Sequence, residues 1–599
     1  MPLLQRLAQA NQVDAIALSA GAASTLTTVP DNLMQSNAAA LLRQHWHGTV
    51  VVIGAIGAVT RLIAPLISDK DHDPAVLVVD ASAQMVVPLL GGHRAGAEAI
   101  AQQLASLLGA TAVITGDCAN QQRLALDAFG HDWGWIASGE SSSWRQLMVA
   151  QAQGHLVAVE QSCGNQLWRQ SKGAAISLPD INHPDSRANA HRLLITAQRP
   201  HGTPSPSCRW HPPVLWLGVG CERNTSLSLI ERAIDAALCE AGLAKQSVAG
   251  LSTIDRKGDE TALLQLAQQR QWPLKLHTAA ELASIHVPTP STVVQAEMGT
   301  ASVAEAAALR AAGPNGELQL PKRIEKAGSD EQGAATVSIA QATEAFAPQR
   351  GELHLIGSGP GDLALLTPDA RSALSRCVAW VGYGLYLDLL EPLRRADQVR
   401  FDGQLTRERD RCLQALDLAR QGTKVALVSS GDSGIYGMAG LALELWLSLP
   451  ELERPGFTVH PGLSALQLAA ARAGAPLMHD FCTISLSDRL TPWEVIEKRL
   501  EAAAAGDFVV ALYNPRSKGR DWQLEKARQI LLSGRPGSTP VVLARQLGRP
   551  DESVRLEELE SLAVEAVDML TVLVIGNSSS RASGGKLVTP RGYPGAELS

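Results

Sequence analysis

GELHLIGSGPGDLALLTP, residues 351–368, decides the fold of the region that follows it. Leu353-His354-Leu355-Ile356 is apolar enough for a short strand. Gly357-Ser358-Gly359-Pro360-Gly361-Asp362 is too rich in glycine and proline for regular structure. Thr367-Pro368 then supplies an N-cap and a proline at the first helical position, which predicts a helix over 369–375. Strand, glycine turn and helix in that order lay out a site for a nucleotide-like ligand. Glycine lets the backbone approach a ligand that a Cβ would hold off.

Two companion loops follow. SSGDSGIYGM (429–438) comes after a predicted strand over 424–428, and PGLSA (461–465) after one over 457–460. Three such loops, each behind a strand, predict one ligand held across several strand ends. The first turn differs from the dinucleotide fingerprint, in which GxGxxG opens directly into a helix. Strand signals recur at 378–381, 508–513, 540–544 and 570–575, so the region reads as α/β.

With VGYGLYLDLL (381–390), SLSDRLTPWEVIEKRL (485–500) and LYNPRSKGR (512–520) added, residues 351 to about 590 resemble the tetrapyrrole methylase family, and within it precorrin-3B C17-methyltransferase. The second loop departs mildly, with Ser433 where proline is usual. The resemblance implies two α/β subdomains with S-adenosylmethionine (SAM) in the cleft between them, and a homodimer through this half. It implies methylation at ring carbon 17 with ring contraction and closure of a lactone. It places Gly359, Pro360, Gly361 and Asp362 along the cleft, and Gly431, Asp432, Ile435, Tyr436 and Ser464 against SAM. Tyr513 and Asn514 border the adenosine. Arg516 and Lys518 meet substrate carboxylates, a pair that equally suits a solvated basic turn. The chemistry agrees: a sulfonium is already an activated methyl donor, so the protein's task is alignment and exclusion of water.

The chain before residue 351 reads as a first α/β domain (1–120), a tryptophan-bearing irregular subdomain (121–212), a second α/β domain (213–313) and a linker (314–350) rich in Gly, Pro, Lys, Glu, Gln and Ser. TVVVIGAIGAVTRLIAPLI (49–67) approaches the length of a membrane span. Arg61, Gly54, Gly57 and Pro65 interrupt it, and a buried strand leading to a helix fits better. In RLIAPLISDKDHDPAVLVVDASAQMVVPLLGGHRAG (61–96), Arg61, Lys70, Asp80 and His93-Arg94 flank buried strands. Gly218-Val219-Gly220-Cys221 reads as a tight turn, and Asp255, Lys257 and Glu260 follow a strand. A carboxylate beside a lysine serves acid–base chemistry, and also suits an ordinary helix N-terminus.

The segment 57–105, together with LGVGCERNTSLSLIERAI, LSTIDRKGDETALLQLA and GTASVAEAAAL, is similar to the cobalt-precorrin-5A hydrolase family over about residues 10–313. The stretch 121–212 matches poorly. GHRAGAE stands where that family has a GHRGGAN-like turn. The resemblance implies opening of a δ-lactone and loss of a two-carbon unit as acetaldehyde. Lactone opening needs an activated water and a stabilised oxyanion. His93 or Glu260 are the candidate bases, and Arg61, Lys257 or glycine-loop amides the stabilisers.

Bulk properties set bounds. At 599 residues the chain needs several cores. A net charge of -7 gives no footing for nucleic-acid binding. Eight scattered cysteines without a CxxC argue against a protein metal site or a disulfide framework and fit a cytoplasmic setting. The N-terminal residues carry no secretory pattern. The expectation is a multidomain α/β enzyme of corrin-ring synthesis with two activities, SAM as cofactor, and cobalt present only as part of the substrate. Two rival readings are a methylase acting at another ring position and a non-catalytic corrinoid-binding N-terminal module.

Overall fold

The computed structural model describes residues 16–19, 34–68, 72–92, 95–115, 122–155, 157–177, 191–200, 208–404, 407–517 and 519–594. It contains four units before residue 464 and a fifth after it.

In the first, strands β1 (Thr49–Ile53), β2 (Ala75–Val79), β3 (Met85–Leu90) and β4 (Thr111–Ala112) form one sheet in that order. Helix α1 (Ile56–Ile63) follows β1, so the apolar run at 49–67 is a strand and a short helix. No helix among the described residues is long and apolar enough to cross a membrane. The strand expected over 112–115 is shorter than expected, ending at Ala112. Helix α2 (Ala97–Leu108) covers the sheet through Ala101, Leu104 and Ala105.

The second unit corrects the expectation of irregular structure over 121–212. It holds a four-stranded sheet of β5 (Ile136–Ser138), β6 (Val157–Gln161), β7 (His191–Ile195) and β8 (Cys208–His211), ordered β5-β8-β7-β6. Within the segment 199–213, expected to be a connector, Cys208–His211 is a paired strand. The core is aromatic: Phe129, Trp144 and Trp168 surround or approach Trp210, whose indole N–H donates to the Leu126 carbonyl at 2.9 Å. A core built on large rings carried by 3₁₀ turns, a helix and a strand leaves little of the period-2 aliphatic pattern by which strands are recognised.

In the third unit, β9 (Leu215–Cys221), β10 (Val248–Ile254) and β11 (Leu274–His277) are parallel. Helices α3 (Leu227–Glu240), α4 (Thr261–Arg270) and α5 (Val303–Ala312) accompany them. The residues expected as a linker instead form β12 (Glu317–Lys326) and β13 (Ala334–Gln341). The order is β11-β10-β9-β13-β12, so this hairpin completes the sheet. β12 is an edge strand carrying Lys322, Arg323, Glu325 and Lys326, with register shifts around Pro321; charge and proline blunt an edge and also disguise it in the sequence. Gly218-Val219-Gly220-Cys221 is the end of β9 rather than a turn. A Cβ on Gly218 would collide with the Ala304 carbonyl, so glycine there lets α5 lie directly on the strand.

The fourth unit is a fully parallel sheet of β14 (Glu352–Gly357), β15 (Ala379–Tyr383), β16 (Val399–Gly403), β17 (Lys424–Ser429) and β18 (Gly456–His460), ordered β16-β15-β17-β14-β18. Helix α6 (Pro368–Arg376) starts as expected, with Thr367 Oγ1 accepting from Ala370 N–H at 3.1 Å. The chain crosses through α7 (Ala465–Ala473) to the fifth unit: β19 (Phe481–Ser485), β20 (Val509–Tyr513), β21 (Pro540–Arg545), β22 (Ser553–Glu558) and β23 (Thr571–Ile575), ordered β19-β20-β23-β21-β22.

The units are not beads on a string. One buried cluster runs from Leu124, Trp168 and Trp210 of the second unit into Leu353, Val381 and Cys412 of the fourth. Asp132 pairs with Lys424 at 2.9 Å, and Arg350 donates to the Gly134 carbonyl at 3.0 Å.

Candidate functional sites

The three glycine loops meet at the carboxyl ends of β14, β17 and β18. Gly359 and Gly431 exchange backbone hydrogen bonds at 3.1 and 2.8 Å. A Cβ on Gly357 would stand 2.5 Å from Gly462 N, and one on Gly462 would strike the Gly431 carbonyl. The glycines are thus needed first for each other. Asp432 braces the cluster: its Oδ1 accepts from Gly434 N–H at 2.8 Å and its Oδ2 from Gly462 N–H at 3.0 Å. Asp362 caps the turn after its own loop, accepting from Ala364 N–H at 2.8 Å.

The second loop then runs outward. Ile435 and Tyr436 are exposed, and Tyr436 sits at φ 56°, a left-handed conformation costly for a bulky residue. Its hydroxyl donates to the Thr483 carbonyl at 3.0 Å in the fifth unit, and its ring lies 5.1 Å from that of Tyr513. Tyr513 accepts from Leu466 N–H at 3.0 Å, and burial pushes its phenol up. Ser464 caps α7 in a reciprocal capping box with Gln467. Asn514, at φ 51°, donates to Ser485 Oγ at 3.1 Å. Hydrogen bonds and ring contact therefore tie Gly359, Gly431, Asp432, Ser464, Tyr436 and Tyr513 into one neighbourhood where the fourth and fifth units meet. It presents backbone amides and two flat rings, and the Ser433 hydroxyl beside them is buried without a hydrogen-bond partner. These residues fit a nucleoside-bearing ligand.

Arg516 follows two residues after Asn514. It donates to the Val564 carbonyl at 3.0 Å and borders a hollow of about 450 Å³ shared with Asp521, Glu565 and Asp568. Lys518 lies outside the described residues. Sequence reasoning missed the loop around Gly548, which packs against the first turn: a Cβ on Gly548 would stand 3.1 Å from Asp362 N. The one signal was a glycine in ARQLGRPDE without a neighbouring motif.

A second constellation occupies the ends of β9 and β10 in the third unit. Glu260 is the N-cap residue of α4 and is 3% exposed. Its Oε1 accepts from Asn224 N–H at 2.8 Å. Its Oε2 has no hydrogen-bond partner, with Lys257 Nζ at 3.6 Å and Arg223 Nη1 at 3.7 Å. The two cations partner the carboxylate electrostatically but stand beyond hydrogen-bonding distance, so Oε2 keeps an unused acceptor. Arg223, which the sequence did not suggest, is held by Asp259 at 2.5 Å and by the Arg256 carbonyl. Burial pushes the neighbouring Cys221 thiol up to about 11, so it stays protonated. Arg61, in the first unit, donates to the Gly57 carbonyl of its own helix and is exposed. His93 lies outside the described residues.

Comparison with known proteins agrees with this division. Residues 352–563 match the tetrapyrrole (corrin/porphyrin) methylase family, 215–340 the C-terminal part of cobalamin synthesis protein G, and 40–118 its N-terminal part. The chain is 46% identical over 241 residues to the probable cobalt-factor III C(17)-methyltransferase of Salmonella typhimurium, covering 99% of that protein and 40% of this one. It is 42% identical over 252 residues to the precorrin-3B C(17)-methyltransferase of a Sinorhizobium species, covering 98% of that protein and 41% of this one. The solved structure of the methyltransferase CobJ is 39% identical, with a TM-score of 0.39, over 40% of this chain and all of that one. The chain belongs to the tetrapyrrole methylase family and carries, ahead of the methylase, both domains of the cobalamin synthesis G family.

Proposed function

We propose that the protein performs two steps of corrin-ring synthesis: SAM-dependent methylation at C17 with ring contraction, and opening of the resulting δ-lactone at a later intermediate with release of acetaldehyde. What carries the reading is one chain holding a complete methylase with a glycine-loop cleft and, before it, both G-type domains with a buried, half-partnered carboxylate. The acceptor is cobalt-factor III or precorrin-3B, and any cobalt arrives with it.

SAM, when bound, supplies an activated methyl group. The chain's own residues hold and aim it. Amides of the Gly359 and Gly431 loops offer donors, the Tyr436 and Tyr513 rings border the adenosine, Asp432 ties the second loop to the third, and the Gly359–Gly431 pair ties the second to the first. Holding donor and acceptor in line is worth roughly 7–11 kcal/mol of barrier.

In the hydrolase half, Glu260 Oε2 takes a proton from water as the water oxygen attacks the lactone carbonyl. Lys257 and Arg223 stabilise the oxyanion. The ring C–O bond breaks as the carbonyl re-forms, leaving a carboxylate and an alkoxide. The alkoxide then closes to the aldehyde carbonyl as its carbon–carbon bond to the macrocycle breaks, and the macrocycle keeps that electron pair and takes up the proton from Glu260 as acetaldehyde departs. One such stabilising group is worth about 3–4 kcal/mol. The Glu260→Gln variant of the full chain should lose acetaldehyde release by about a hundredfold or more while methyl transfer persists. Release at the wild-type rate would remove Glu260 from the mechanism.

Two accompanying proposals have structural support. Leu443, Leu447 and Val459 are exposed on one helix and on edge strand β18, which suits a homodimer through the methylase half. Seven described cysteines are free, which suits the cytoplasm.

A further inference from the structure

Most arginines near the loop around Gly548 are paired: Arg545 with Asp568 at 2.8 Å, Arg472 with Glu552 at 2.7 Å. Arg549 is different. Its guanidinium makes no hydrogen bond and no ion pair among the described residues, although it is half-buried. A guanidinium without a protein partner keeps its paired donors available to an anionic ligand.

The position of Arg549 is fixed from several sides. The Gly548 N–H donates to Glu552 Oε2 at 2.7 Å, and Glu552 is itself held by Arg472. A Cβ on Gly361, at φ 144°, would stand 3.1 Å from Arg549 Cγ, so the arginine stem leans on the first glycine turn. Asp362, the nearest carboxylate in that turn, is occupied with the Ala364 amide. At the end of β15 in the fourth unit, Tyr383 and Tyr386 pack edge to face at 5.2 Å. Burial pushes the Tyr386 phenol up, and Arg549 pulls it part of the way back, which puts the guanidinium within electrostatic reach of that ring.

We propose that Arg549 receives a carboxylate of the tetrapyrrole substrate beside the Gly359–Asp362 turn, with Tyr383 and Tyr386 forming the apolar flank against the macrocycle. The assignment rests on the methylase reading for the identity of the substrate, but its chemistry requires only a flat polycarboxylate. A guanidinium offers two parallel N–H donors to a carboxylate, and an unpaired one makes no competing contact.

The test uses the full-length protein with Arg549→Gln and Arg549→Lys. With cobalt-factor III as acceptor, Arg549→Gln should raise KM about tenfold or more and leave the Kd for SAM unchanged, with Arg549→Lys recovering part of the loss. Uroporphyrin, a commercially stable tetrapyrrole polycarboxylate, serves as a second probe, its Kd read by fluorescence quenching. If cobalt-factor III is not methylated at all but uroporphyrin binding still falls about tenfold in Arg549→Gln, the acceptor is misassigned and the arginine's role stands. If methylation proceeds and neither KM nor uroporphyrin affinity responds to Arg549→Gln, the arginine's role is overturned and the methylase reading stands. Equal weakening of SAM and tetrapyrrole binding would also overturn it, by showing a structural role.

Discussion

Asp432 shows how a motif residue can serve a ligand without touching it. One of its oxygens is engaged by an amide of its own loop and the other by an amide of the third loop, so its charge is spent on holding Gly434 and Gly462 in place. Hydrogen bonds to a charged group contribute about 1.5–3 kcal/mol each, and Asp432→Ala should weaken SAM binding by about ten- to a hundredfold in titration calorimetry. Unchanged affinity would remove the brace from the account. The spacing of the glycine loops was legible in the sequence because each follows an apolar strand. The brace was not, because it joins residues thirty positions apart. The same holds for Arg223 and Asn224, which converge on Glu260 from another strand end. A further network was invisible for the same reason: Glu352, His354, His460 and Asp369 form a hydrogen-bonded chain at 2.7, 2.9 and 2.8 Å, with Arg376 on Glu352. Burial alone would raise the Glu352 carboxyl, but the His354 hydrogen bond and the Arg376 charge outweigh it and hold the group at about 2 against an ordinary 4.5. A carboxylate depressed in this way stabilises the fold above pH 4.5 and loses that contribution as pH falls toward 2. Glu352→Gln should therefore melt lower than wild type at pH 7, with the gap narrowing at pH 3, as followed by circular dichroism. A gap that stays constant with pH would contradict the linkage.

At the scale of elements, α/β segments with aliphatic strands could be read directly, and α6 begins at Pro368 as its cap predicts. What escaped was structure whose stabilisation comes from partners remote in sequence. The β12–β13 hairpin looks like a linker because an edge strand is charged on purpose; its place is set by pairing with β9, about a hundred residues earlier. The second unit is built on rings instead of alternation. Trp210 is fully buried, its indole N–H is satisfied by Leu126, and a Cβ on Gly130 would stand 2.5 Å from its ring. Trp210→Ala should cost about 3–5 kcal/mol in chemical denaturation, because the close-packed ring leaves a cavity its neighbours cannot fill. A cost below about 1 kcal/mol would show that this unit is loosely packed.

In the whole molecule, the hydrolase and methylase halves share a buried core, and the backbone of Gly134 approaches that of Gly422 so closely that a Cβ would stand 2.7 Å away. Three further contacts reinforce the junction: Asp132–Lys424, Asn165–Gln421 and Lys172–Glu391. The two sites are thus carried by one framework, while their proposed reactions belong to different intermediates. If both proposed reactions hold, fusion supplies the two activities in equal amounts rather than passing one product from site to site. The central claim is that both sites are catalytic on corrin precursors. It is tested by incubating the full-length protein with methyl-labelled SAM and cobalt-factor III, and separately with cobalt-precorrin-5A, followed by mass analysis of the corrinoid and assay of acetaldehyde. The account predicts gain of one labelled methyl group in the first reaction and release of acetaldehyde with loss of a two-carbon unit in the second. Methyl gain without any acetaldehyde would reduce the N-terminal half to a binding module, and absence of both would contradict the account as a whole.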